Sequence, residues 1–120
     1  MNENEYLKKV ENETSKFDMN ELDATIYNSL TEETDDKFKG FDNCIVVMEE
    51  CSELQQAISK ALRGKKNYRT NLIEEIGDVL YGVRYLQKIF DISDEDILKS
   101  INVKIKRQQE RNSKWGAYYE

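Results

Sequence analysis

The sequence contains no proline and no histidine, and only five glycines in 120 residues. Without proline, and with so little glycine, the chain lacks the punctuation that divides a β-rich fold into short strands and turns, so long stretches are free to be helical. The missing histidine removes imidazole base catalysis, Ser-His and Cys-His nucleophiles, and the Glu-x-x-His ligand pairs of di-iron bundles. The two cysteines, Cys44 and Cys51, have no histidine to complete a zinc site and read as buried thiols in a reducing cytoplasm. No apolar run approaches the roughly 20 residues that cross a bilayer, and no signal-peptide pattern is visible. The expectation is a cytoplasmic protein with no membrane contact. Positive charge is scarce too: 18 Lys and Arg face 24 Asp and Glu, a net charge of −6. A nucleic-acid backbone needs a basic footprint, so that partner is not expected.

What the chain does have is helical periodicity. Residues 1–18 form a polar arm without a sustained period, to which no function is assigned. Residues 19–116 are expected to make a single helical domain and 117–120 a short tail. Met19, Leu22, Ile26 and Leu30 predict a first short helix, and the acidic TEETDD run after it reads as a solvated loop. A second helix is predicted from about Asp42 to Arg63 on the seam Val47, Cys51, Leu54, Ile58 and Ala61, with Gly64 as its stop. A third is predicted from Asn71, as N-cap with Glu74 at N3, to about Phe90 on the seam Leu72, Ile76, Val79, Val83, Leu86 and Phe90. The last follows a Ser93–Asp96 capping box, carries Ile97, Ile101 and Ile105, and ends near Trp115-Gly116. With 38% apolar and 35% charged residues the core is thin, which predicts completion by a second subunit.

The second and third helices repeat one device. Slid by 25 positions, the two seams coincide, Glu50 falls on Glu75, and Glu53 falls on Asp78. Glu50 and Glu75 then lie only roughly 40° from the seam centre, with Glu53 and Asp78 at its edge. A lone carboxylate so placed costs several kcal/mol to bury unless a cation, a proton or a donor meets it. Either acidic pair alone would be an ordinary solvated pair on a helix. Two pairs with one offset predict instead that Glu50, Glu53, Glu75 and Asp78 converge and cage one or more divalent ions. Ala57 and Gly82, seven residues after the inner glutamates, are small enough to leave room for a ligand.

Oxygen ligands suit Mg²⁺ or Mn²⁺, ions that most often serve phosphoryl chemistry. The segment DISDEDILKSIN is no calcium loop, since it lacks the sixth-position glycine and ends in Asn102 instead of glutamate. A phosphate clamp is available on the last helix, where Lys104, Arg107 and Arg111 share a face near Asn102. The alternative is a non-catalytic helical module that only oligomerises, or that senses a metal or nucleotide.

The motifs EECSEL (Glu49–Leu54) and EEIGDVL (Glu74–Leu80), separated by 21 residues between Glu53 and Glu75, resemble those of the MazG-like all-α nucleoside triphosphate pyrophosphohydrolases. INVKIKR resembles that family's N-x-K-x-x-R stretch through Asn102, Lys104 and Arg107. The resemblance covers roughly residues 40–111, with Asn43 standing where the family commonly has a glutamine. It implies a helical bundle of about four helices, assembled as a homodimer or homotetramer. It also implies hydrolysis of a (deoxy)nucleoside triphosphate to the monophosphate and pyrophosphate, by metal-activated water attacking the α-phosphorus. The four carboxylates would hold Mg²⁺, and Lys104 and Arg107 would steady the phosphates. Among the aromatic residues, Tyr85 is the best placed to meet the nucleotide.

Overall fold

A computed structural model describes residues 2–13, 21–30 and 37–119. Among the described residues there are five helices and no strand: α1 (Glu3–Glu13), α2 (Leu22–Ser29), α3 (Lys37–Leu62), α4 (Tyr68–Ile89) and α5 (Asp94–Tyr119). The fold is all-α, as expected. The chain divides into two units at the junction of Ile89 and Phe90. No helix among the described residues is long and apolar enough to cross a membrane.

The first unit is organised by α3 and α4. Their connection is a glycine-terminated helix end: Gly64 takes φ +65°, the Gly64 amide bonds the Ala61 carbonyl, and the Lys65 amide bonds that of Lys60. This left-handed residue with its paired 5→2 and 6→1 bonds satisfies carbonyls that the end of α3 would leave orphaned. Asn67, also left-handed at φ +61°, turns the chain into α4. The helices run antiparallel, with Asn43 bonded to Tyr85 at 3.1 Å and Val47 against Gly82. A Cβ on Gly82 would stand 3.0 Å from Val47 Cγ1, so the missing side chain is what lets the helices approach. Gly82 and Val47 also line a cavity between the two helices, so the space foreseen beside Gly82 is present.

This close approach also rotates the interface away from the predicted seam. From residue 41 onward, the buried and half-buried residues of α3 are Asn43, Cys44, Val47, Glu50, Leu54, Ala57 and Ala61, whereas Cys51 and Ile58 are exposed. The contact is set by small residues that admit a neighbouring backbone, not by the count of apolar side chains. Cys51 is therefore an exposed thiol, contrary to expectation, and Cys44 is half-buried. On α4, Ile76 and Val83 likewise face outward, and Phe90 lies beyond the helix and is 56% exposed. The buried cluster is small: Leu30, Val47 and Tyr85, with Ile26, Cys44, Leu86 and Ile89 packed on it. α2 is fastened to α4 by Arg84–Asp23 at 2.8 Å and by a Ser29–Tyr81 hydroxyl contact at 3.0 Å.

Several boundaries differ from the sequence-based expectation. The polar arm contains a helix, α1, opened by a reciprocal capping box: Asn2 Oδ1 accepts from the Glu5 amide at 2.8 Å, and Glu5 Oε2 from the Asn2 amide at 3.3 Å. Glu3, Tyr6 and Val10 are its half-buried face, at helical spacing, and Arg69 ties it to α4 through Glu3 at 3.2 Å. α3 begins at Lys37 rather than near Asp42. α4 begins at Tyr68, because the turn closes at Asn67, so Asn71 lies inside the helix instead of capping it. The Ser93 cap is present, its Oγ accepting from the Asp96 amide at 3.2 Å. α5 passes through Gly116 to Tyr119, the cost of one glycine, about 1 kcal/mol, being too small to end it. Met19 and the TEETDD run lie outside the described residues.

Candidate active site

On a helix, residues three apart share a face, and two antiparallel helices in register bring such pairs opposite one another. With Val47 against Gly82 and Asn43 against Tyr85, Glu50 meets Asp78 and Glu53 meets Glu75. The repeated device seen in the sequence thus becomes a pseudo-twofold arrangement of carboxylates. One oxygen each from Glu50, Glu75 and Asp78 lie within 4.8 Å of one another. Glu53 stands beside Glu75 but is exposed and outside that three-way group. Glu49 and Glu74 are exposed.

The rotation of the interface makes this cluster more costly than the seam implied. Glu50 lies within the buried stripe, and Oε2 of both Glu50 and Glu75 is buried with no hydrogen-bond partner among the described residues. Removal from water, then the charges of Asp78 and Glu53, push the Glu50 carboxyl up to about 7. Glu75 is raised as well, first by burial and then by Glu53 and Asp78. A buried acceptor left unpaired costs about 1–3 kcal/mol, and two such oxygens among like charges call for a positive partner. A hard divalent cation satisfies both demands at once, since every donor is a carboxylate oxygen. Glu50, Glu75 and Asp78 are the residues that can hold it.

Beside the carboxylates is a cavity of about 270 Å³ whose walls include Asn43, Val46, Tyr81 and Tyr85 together with Glu50 and Asp78. Tyr85 is 3% exposed, so its ring belongs to the core, while its hydroxyl accepts the hydrogen bond from Asn43 Nδ2 on the cavity wall. The second unit carries Asn102, Lys104, Arg107 and Arg111 on α5, all exposed. Of the residues named from sequence, the first unit therefore gathers Glu50, Glu75, Asp78 and Tyr85 about one place, with Glu53 adjoining. Asn43 acquires a defined partner that sequence could not supply, because Tyr85 is 42 positions away.

Among known proteins, the family model that describes the MazG nucleotide pyrophosphohydrolase domain matches residues 42–112, more than half of the chain. No curated protein and no solved structure matches. The matched segment opens one residue before Asn43 and takes in both carboxylate pairs and the basic stretch of α5. By this match, and by the cluster of acids its two motifs assemble, the chain belongs to the MazG nucleotide pyrophosphohydrolase family.

Proposed function

We propose that this protein hydrolyses (deoxy)nucleoside triphosphates to the nucleoside monophosphate and pyrophosphate, with water adding at the α-phosphorus and the bond to the bridging oxygen of the β-phosphate breaking. The observation that carries this reading is the convergence of Glu50, Glu75 and Asp78 within 4.8 Å, two of them with orphaned buried oxygens, at the rim of a cavity. Glu50, Glu53, Glu75 and Asp78 hold Mg²⁺, or Mn²⁺ in its place. The ion supplies charge neutralisation for the phosphates and lowers the pKa of water. One of these four carboxylates is also assigned to orient or deprotonate the water. The apolar and aromatic cavity takes the nucleoside, with Tyr85 and Asn43 on its wall. Asn102, Lys104 and Arg107, exposed on α5, are assigned to the phosphates as charge-assisted donors.

The test is to supply each dNTP and NTP in turn with Mg²⁺. Equimolar nucleoside monophosphate and pyrophosphate are expected. Release of orthophosphate instead, or of no product by a well-folded protein, removes the reading.

A homodimer or homotetramer is part of the proposal. Large apolar residues stand in the open on α5, with Leu98 59%, Ile101 45% and Ile105 48% exposed, and on α3, with Met48 70% and Leu62 84%. A stripe of this kind at helical spacing favours burial against another helix at about 25 cal/mol per Å². Light scattering on the eluting peak is expected to give two or four times the chain mass of 14.2 kDa, and a monomer at micromolar concentration would contradict it.

A further inference from the structure

A second cavity, of about 360 Å³, opens where α1 crosses the first turn of α4, and it is lined by Tyr6, Lys9, Asn67, Thr70, Asn71 and Glu74. Its character is unlike that of the first. It has a cation, two amides and a phenol on its walls, and it sits at a helix N-terminus, where backbone amides face outward and favour anions. Thr70 lines it, more than nine-tenths buried, and its Oγ1 has no hydrogen-bond partner among the described residues. A threonine hydroxyl buried unpaired is costly unless something else bonds it. Lys9 is exposed and forms no ion pair with any described residue.

In the order of residues along α4, this cavity comes before the carboxylates and the first reaches beyond them. Along α4, Asn71 lies four residues before Glu75, and Gly82 lies four residues after Asp78, a rise of about 6 Å on each side. Tyr6 lines the polar cavity and also feels the acids. Burial first, and then the charges of Glu74, Asp78 and Glu75, raise its hydroxyl above its ordinary range, which places the ring within electrostatic reach of the acidic cluster. Along this axis there is thus an apolar cavity, a set of acids that can hold a cation, and a polar cavity with an exposed lysine.

We infer that the substrate lies along this axis in one direction, and that α1 forms the seat of its departing pyrophosphate. The nucleoside occupies the apolar cavity, the α-phosphate the carboxylates, and the β- and γ-phosphates the polar cavity, where Lys9, the Tyr6 hydroxyl and the first turn of α4 receive them in addition to the donors already proposed. Glu74 on the same wall repels a bare polyphosphate, so the group enters as its magnesium complex. The helix that carries Tyr6 and Lys9 lies wholly before the segment matched to the family, whereas Asn67, Thr70, Asn71 and Glu74 lie within it. The inference rests on the proposed hydrolysis and adds to it an orientation and two binding residues.

The test uses the full chain and three constants: KM for the preferred triphosphate, and inhibition by magnesium pyrophosphate and by the monophosphate. In Lys9→Ala and Tyr6→Phe, KM and the pyrophosphate constant are expected to rise together, about tenfold for the lysine, with the monophosphate constant unchanged and Lys9→Arg restoring most of the loss. If pyrophosphate inhibition is unaltered while turnover persists, the seat is elsewhere and the hydrolase reading stands. If the monophosphate constant moves alone, the orientation is reversed; if both inhibition constants move together, α1 only supports the fold; either result overturns the inference. A wild-type chain that releases no pyrophosphate removes the hydrolase reading and this inference with it.

Discussion

Asp78→Asn is expected to reduce pyrophosphate release by at least about 100-fold while the protein remains folded. Asp78 is one of three residues whose oxygens share a centre, and its partner Glu50 is held protonated up to about 7 in part by the Asp78 charge. The amide keeps the shape of the side chain but gives up the charge that a divalent cation needs. It also relieves repulsion, because a neutral group then faces Glu50 and Glu75. Metal-free Asp78→Asn should consequently melt no lower than the wild type, and its melting temperature should respond less to Mg²⁺. Steady-state kinetics and thermal melts on the same preparation check both halves. Full activity in this variant would refute the assignment of the cation site. Glu53→Gln should act in the same direction.

Removing the metal should make stability depend on pH in a direction opposite to the usual carboxylate case. Glu50 titrates at about 7 in the folded chain against an ordinary value of 4.5, and Glu75 is shifted the same way. Between those values the folded protein binds more protons than the unfolded one, so the free energy of unfolding falls as pH rises. The stabilising contribution is complete below about 4.5 and is lost as pH passes through 7. In the presence of a chelator the melting temperature should decline by on the order of 5 °C across that window. Millimolar Mg²⁺ should reverse the trend, since only the ionised carboxylates bind it and its stabilisation grows with their deprotonation. A chelated protein whose melting point stays level from acid to neutral pH, and does not respond to Mg²⁺, would show that these acids are neither crowded nor ligands.

Much of the site could be read from the linear chain because it rests on repetition. The offset of 25 between the acidic pairs places four carboxylates at equivalent positions on two helices, whatever the helices then do. The stop at Gly64 was legible because a left-handed residue is needed there and glycine adopts it at no steric cost. The cap at Ser93 was legible because a hydroxyl next to a helix start has one obvious acceptor role. The helix in the N-terminal arm was not recognised, although Asn2 and Glu5 form a capping box and Glu3, Tyr6 and Val10 share a face. A single tyrosine and a single valine carry its apolar face, too little to stand out as a period. The asparagine at 71 suits a helix start by residue type, but the left-handed turn at Asn67 lets α4 begin at Tyr68, which spacing along the chain does not reveal.

By itself, then, the sequence determined that this protein is helical, that acids recur on two of its helices in a common register, and that its chemistry excludes imidazole. Each of these follows from residue type and spacing along the chain, which operate before any tertiary contact exists. Tertiary structure decided which faces meet. Gly82 admits Val47, that approach turns Glu50 into the interface, and the expected seam residues Cys51 and Ile58 are left outside. It also decided that Asn43 reaches Tyr85, and that α1 lies over the first turn of α4. Close packing selects the pair of surfaces whose shapes fit, and where small residues create that fit the choice depends on both helices together, which a reading of either one alone does not contain.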